Sequence, residues 1–159
     1  MIEAKRSHFG SLRTWTAVSE FLLEQFPGCH KDGAGREAVR VAGNILAYLA
    51  ANERSRPSSA PANEEFVIIR IAYENRERLL ESNPETFFVT PHYKTYPGVI
   101  VRLATIEPVQ LRELLMNAWR LVAPKRLVRD WDARATRQPG DNAPATRSAV
   151  RARRANKKQ

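Results

Sequence analysis

Ala38-Val39-Arg40-Val41-Ala42-Gly43-Asn44-Ile45-Leu46-Ala47-Tyr48-Leu49-Ala50-Ala51 is the stretch that decides the fold. It reads as two strands, 38–42 and 44–51, meeting at Gly43, which can supply the positive φ of a tight hairpin turn. A hairpin commits the sheet to antiparallel pairing at its start. Phe66-Val67-Ile68-Ile69-Arg70-Ile71 reads as a third strand. Phe87-Phe88-Val89-Thr90 and Val99-Ile100-Val101-Arg102-Leu103 read as a further pair.

Helices frame these strands. Trp15, Val18, Leu22 and Phe26 recur at three- and four-residue spacing, so a helix starts near Ser11 or Thr14 and stops at Pro27-Gly28. A short helix is expected from Asn75, as N-cap, to Asn83, where Pro84 stops it. Pro108 opens a helix whose inner face is Leu111, Leu114, Leu115, Ala118 and Val122. Pro124 restarts the chain into a last helix with Leu127, Val128 and Trp131. The order α, β, β, β, α, β, β, α, α lacks steady β-α alternation, which predicts an α+β domain with an antiparallel sheet.

The 159 residues leave room for one domain, which would bury roughly two-thirds of its unfolded surface. The domain is expected at 11–132. Residues 133–159 carry no apolar period and read as a disordered basic tail. Charge divides the same way. Residues 1–132 hold 18 Lys and Arg against 16 Asp and Glu, whereas 133–159 hold eight basic residues against Asp141 alone. The net charge of +9 therefore sits mainly in the tail. Apolar runs are too short to span a bilayer, and no signal-like h-region follows Met1, so a cytoplasmic protein is expected.

Chemistry-bearing motifs are sparse. Cys29 is the single cysteine, which excludes an internal disulfide and a thiolate-rich metal site. Cys29-His30 are neighbours on what reads as a loop, a poor arrangement for a thiol and its base. His8, His30 and His92 show no metal-ligand spacing, and phosphate-loop and nucleophile-elbow signatures are missing. A non-enzymatic protein without cofactor or metal is the expectation.

Basic and aromatic residues are better placed. Strand alternation sets Arg40, Arg70 and Arg102 opposite the faces of Val39 and Val41, of Val67 and Ile69, and of Val99 and Val101. The arginines either form one cationic row or snorkel singly, according to register. Pro91-His92-Tyr93-Lys94-Thr95-Tyr96-Pro97-Gly98 interleaves basic and aromatic groups, as base stacking and phosphate contact require, or as a rigid turn capping the core would. The polar connection 52–63 presents Arg54 and Arg56. Lys125 and Arg126 open the last helix, near Arg120, where free backbone N–H groups favour anions.

Phe87-Phe88-Val89-Thr90-Pro91-His92-Tyr93, Tyr96-Pro97, Val101-Arg102-Leu103, Ala118-Trp119-Arg120 and Ala123-Pro124-Lys125-Arg126 resemble the MmcQ/YjbR family of small bacterial proteins. Val39-Arg40-Val41-Ala42-Gly43 fits the first hairpin of that family, and the resemblance spans roughly 16–131. It implies a curved antiparallel sheet with helices packed on it and a double-wing mode of DNA binding. The leading expectation is a DNA-binding patch drawn from Arg40, Arg54, Arg56, Arg70, His92, Lys94, Tyr96, Arg102, Arg120, Lys125 and Arg126, assisted by the tail. The alternative is an interaction module whose sheet face binds a protein, or a small carboxylate or phosphate on Arg40, Arg70 and Arg102.

Overall fold

A computed structural model of the chain describes residues 12–52 and 54–136. They form helices α1 (Trp15–Gln25), α2 (Tyr73–Ser82), α3 (Pro108–Val122) and α4 (Lys125–Thr136), and strands β1 (Cys29–Lys31), β2 (Ala38–Val41), β3 (Asn44–Leu49), β4 (Phe66–Arg70), β5 (Phe87–Phe88) and β6 (Gly98–Arg102). The strands make one open antiparallel sheet in the order β1-β2-β3-β4-β6-β5. This is the expected α+β class, with one more strand than the sequence showed.

The deciding hairpin forms where its residues dictate. Ala42 and Gly43 take φ values of 52° and 82°, the left-handed pair that matches a two-residue turn to strand twist. Thr14 caps α1, its hydroxyl accepting from the Ala17 N–H at 3.2 Å. Glu65 accepts the Trp15 N–H at 2.6 Å, satisfying another donor of the first turn from a distant loop. Helix α2 starts at Tyr73 with Ala72 as its cap residue, not at Asn75. Tertiary contacts account for the earlier start: the Tyr73 hydroxyl donates to the Thr95 carbonyl, and its ring lies 4.8 Å from the Arg76 guanidinium.

Register sorts the side chains by face. Val39 pairs with Ala47, Ala47 with Ile69, Ile69 with Val99, and Val67 with Val101. These residues share one fully buried face. Helix α1 packs along β1 and β2, and α3 along β3 and β4. Helix α3 also buries Trp119, whose indole donates to the Pro27 carbonyl at 2.9 Å and stacks on Phe26. The other face carries Tyr48, Phe66, Ile68 and Ile100, and a second cluster forms over it from Ala50, Tyr93, Ala60, Phe88 and Tyr96. The connections 52–63 and 91–98 therefore roof this face.

The described residues divide into two compact units at Pro124/Lys125, rather than at 132. The second unit is α4, which stays helical through Thr136 and so takes in the first residues of the expected tail. Residues 137–159, the rest of that tail, lie outside the described residues. No helix among the described residues is long and apolar enough to cross a membrane.

Candidate functional site: a tyrosine cleft under two loops

The roofed face encloses a cleft of about 450 Å³, whose walls include Tyr48 from β3 and Tyr93 and Tyr96 from the 91–98 loop. The three rings stand 5.7 to 6.4 Å apart, tilted or edge to face, the arrangement their quadrupoles favour. Burial first, and then hydrogen bonding with Tyr93 and Tyr96, drives the Tyr48 hydroxyl above the ordinary tyrosine range. Tyr96 is also raised, by burial, against the opposing charge of Arg70. Both hydroxyls are neutral at physiological pH. Arg36, Glu37, Asn52 and Ser55 complete the polar part of the lining.

An arginine that sequence reasoning missed holds the loop. Arg76 of α2 is 5 % exposed. It donates from Nη1 to the carbonyls of Tyr96 (2.8 Å), Gly98 (3.2 Å) and Tyr93 (3.3 Å), and from Nη2 to that of Lys94 (2.9 Å). A guanidinium with five donors suits a turn whose carbonyls converge. Proline punctuation and the single 3-10 turn Pro91–Tyr93 add stiffness. Gly98 is required beside it, since a Cβ there would stand 2.7 Å from Tyr96 Cε2. The 52–63 loop is tied to the 91–98 loop by the Thr90 hydroxyl, which donates to the Arg54 carbonyl.

The expected site residues separate into groups. Arg54, His92 and Lys94 are exposed on the two loops that flank the cleft, His92 with its ring 4.8 Å from that of Tyr93. Tyr96 lines the cleft itself. The cationic row does not form. Arg70 and Arg102 share a face, but at opposite ends of β4 and β6, opposite Gly98 and Phe66 respectively. Arg102 is paired with Glu64, its Nε and Nη2 donating at 2.8 and 3.1 Å. Arg40 is paired with Asp32 and also donates to the Gly43 carbonyl at 2.7 Å. Hydrogen bonds from these arginines hold both carboxylates below their ordinary range. Arg56 does not reach outward, because it donates to the Pro61 and Glu64 carbonyls of its own loop and lies 5.2 Å over the Phe66 ring. Arg120 is exposed on α3, and Lys125 and Arg126 are exposed at the start of α4, in the second unit.

Cys29 and His30 occupy edge strand β1, not a loop. Neighbours on a strand point to opposite faces, so this thiol and imidazole are not presented to each other. Burial pushes the Cys29 thiol up to about 11, and it stays protonated at neutral pH. Among the described residues no three His, Cys, Asp or Glu side chains gather as a metal site would require.

The uncharacterized protein Rv2570 of Mycobacterium tuberculosis is 38 % identical over 96 residues, covering 56 % of this chain and 74 % of the relative. The uncharacterized protein Mb2600 of Mycobacterium bovis matches to the same extent. The chain belongs to the family of these mycobacterial proteins. Their names state no activity. No family model and no solved structure matches the chain.

Proposed function

We propose that this chain is a non-enzymatic nucleic-acid-binding protein whose domain engages unpaired bases at the tyrosine cleft. The C-terminal basic segment supplies sequence-independent attraction to phosphates. One observation carries this reading: two mutually tied loops cover Tyr48 of β3, set Tyr93 and Tyr96 beside it in a cleft, and leave Arg54, His92 and Lys94 exposed next to it. Aromatic walls offer stacking surface to any base, and flanking cations track the backbone. The pairing of Arg40 and Arg102 with carboxylates argues against a broad duplex-binding face. DNA binding is also what the MmcQ/YjbR resemblance implies, and the cleft narrows that expectation to single strands.

The test is fluorescence anisotropy of the full chain with a single-stranded oligonucleotide and its duplex across a salt series. With the C-terminal segment constant, Arg54→Ala with Lys94→Ala should flatten the single-strand salt slope by about 1.4, at about 0.7 per lost phosphate contact. Tyr96→Ala, at the partly exposed cleft tyrosine, should weaken single-strand binding by roughly 5- to 150-fold, the loss expected for about 1–3 kcal/mol of stacking. Equal affinity for strand and duplex, indifferent to these substitutions, would remove the cleft from the account.

A further inference from the structure

The polar atoms around the tyrosine cleft differ in what they have left to offer. The Arg70 guanidinium, which can only donate, hydrogen-bonds the Tyr96 hydroxyl. The bond between Tyr48 and Tyr96 raises the first hydroxyl and lowers the second, the effect of donation from Tyr48 to Tyr96. Tyr96 therefore accepts from both neighbours. Its own O–H remains to be given, on a partly exposed ring that lines the cleft 6.3 Å from Tyr48 and 5.7 Å from Tyr93.

The rest of the lining is donor-rich in the same way. Asn52 Oδ1 accepts the Arg54 N–H at 3.0 Å, which leaves the amide N–H groups of that side chain as its offer to a ligand. Ser55 is buried and donates its hydroxyl to the Asn52 carbonyl at 3.2 Å. Arg36 is exposed, and its guanidinium has donors only. Glu37 is the one carboxylate of the lining, and it is turned toward α1, where it accepts from the Trp15 indole at 2.9 Å. A ligand in this cleft meets donors from Tyr96, Asn52 and Arg36, so it must bring acceptors.

On the single-strand reading above, we propose that the cleft selects the bases with two carbonyl oxygens, thymine and uracil. Those oxygens accept from the cleft, Tyr96 supplying one of the donors, while the ring lies against the tyrosines. Guanine and cytosine carry one carbonyl each, and adenine has none, offering only ring nitrogens as acceptors. Stacking alone would rank the bases the other way, since a purine covers more aromatic surface than a pyrimidine. A preference for thymine over adenine therefore reports hydrogen bonding and not contact area.

The experiment is fluorescence anisotropy of the full chain with oligonucleotides of one backbone, in which abasic sites flank a single base so that no base stacks on a neighbour. Thymine, uracil, adenine and 2,4-difluorotoluene, which copies the shape of thymine without its carbonyls, are compared at fixed salt. Thymine and uracil should bind roughly 2- to 12-fold more tightly than adenine, the worth of one net hydrogen bond. The isostere should lose that advantage, and Tyr96→Phe, which keeps the ring and removes the hydroxyl, should abolish most of the difference between thymine and adenine. Adenine binding as tightly as thymine, with Tyr96→Ala still weakening both, would overturn the selection and leave the single-strand reading standing. An isostere equal to thymine would overturn it too, because shape would then suffice, and this arm needs no variant to fold. Indifference of every base to Tyr96→Ala would overturn both the selection and the reading on which it rests.

Discussion

Arg76→Met isolates the interaction that shapes the tyrosine cleft. The substitution keeps much of the buried stem and removes donations at 2.8 and 2.9 Å to the Tyr96 and Lys94 carbonyls, together with weaker ones to Gly98 and Tyr93. Two good charge-assisted bonds at about 1.5–3 kcal/mol each, plus the longer pair, give a gross loss of roughly 4–5 kcal/mol. Relief from burying a guanidinium without a counter-charge offsets part of it, leaving about 3 kcal/mol. For a domain of this size, at about 4 °C per kcal/mol, the melting temperature should fall by about 12 °C. Thermal unfolding followed by circular dichroism reads it directly, with Arg102→Met as reference. The Arg102–Glu64 pair lies at the solvent-facing end of β6, so losing it should cost far less than losing the buried Arg76 donations. If Arg76→Met melts no lower than Arg102→Met, the staple is not what orders the loop.

Gly98→Ala should displace the Tyr96 ring, at about 1 kcal/mol for an off-rotamer side chain, and change the near-ultraviolet circular dichroism while leaving the far-ultraviolet signal intact. Tyrosinate absorbance should show Tyr48 and Tyr96 titrating above the usual value of about 10. Because the folded state keeps those protons when the unfolded chain has lost them, stability is fully present below about pH 10 and falls as pH rises beyond it. At the acid end, the depressed Asp32 and Glu64 contribute stability that is present above about pH 4 and lost as pH drops through their folded values. Asp32→Asn should therefore flatten the acid limb of a stability-versus-pH curve.

The fold was legible where the period of the sequence matched the element. Valine and isoleucine alternation placed β2, β4 and β6, and their shared phase holds in the observed register. Strand β1 was missed because three residues, Cys29, His30 and Lys31, carry no readable alternation, and its existence depends on pairing with β2. The site was half legible. The composition of 91–98 marked it as a loop with aromatic and basic content, but Tyr48 sits on β3 and reads from sequence as one more strand aromatic. Arg76 gave no signal either, since an arginine in a polar helix is usually solvated. The arginine row failed for a related reason: Asp32 and Glu64 lie in loops whose approach to β2 and β6 no strand pattern encodes.

Amide-resolved NMR mapping of the full chain with a single-stranded oligonucleotide tests the central claim most directly. Saturable shifts are expected at 36–38, 48, 52–55 and 92–96, persisting at a salt concentration that weakens the purely electrostatic contribution. Shifts restricted to residues 125–159, leaving the cleft unperturbed, would contradict it.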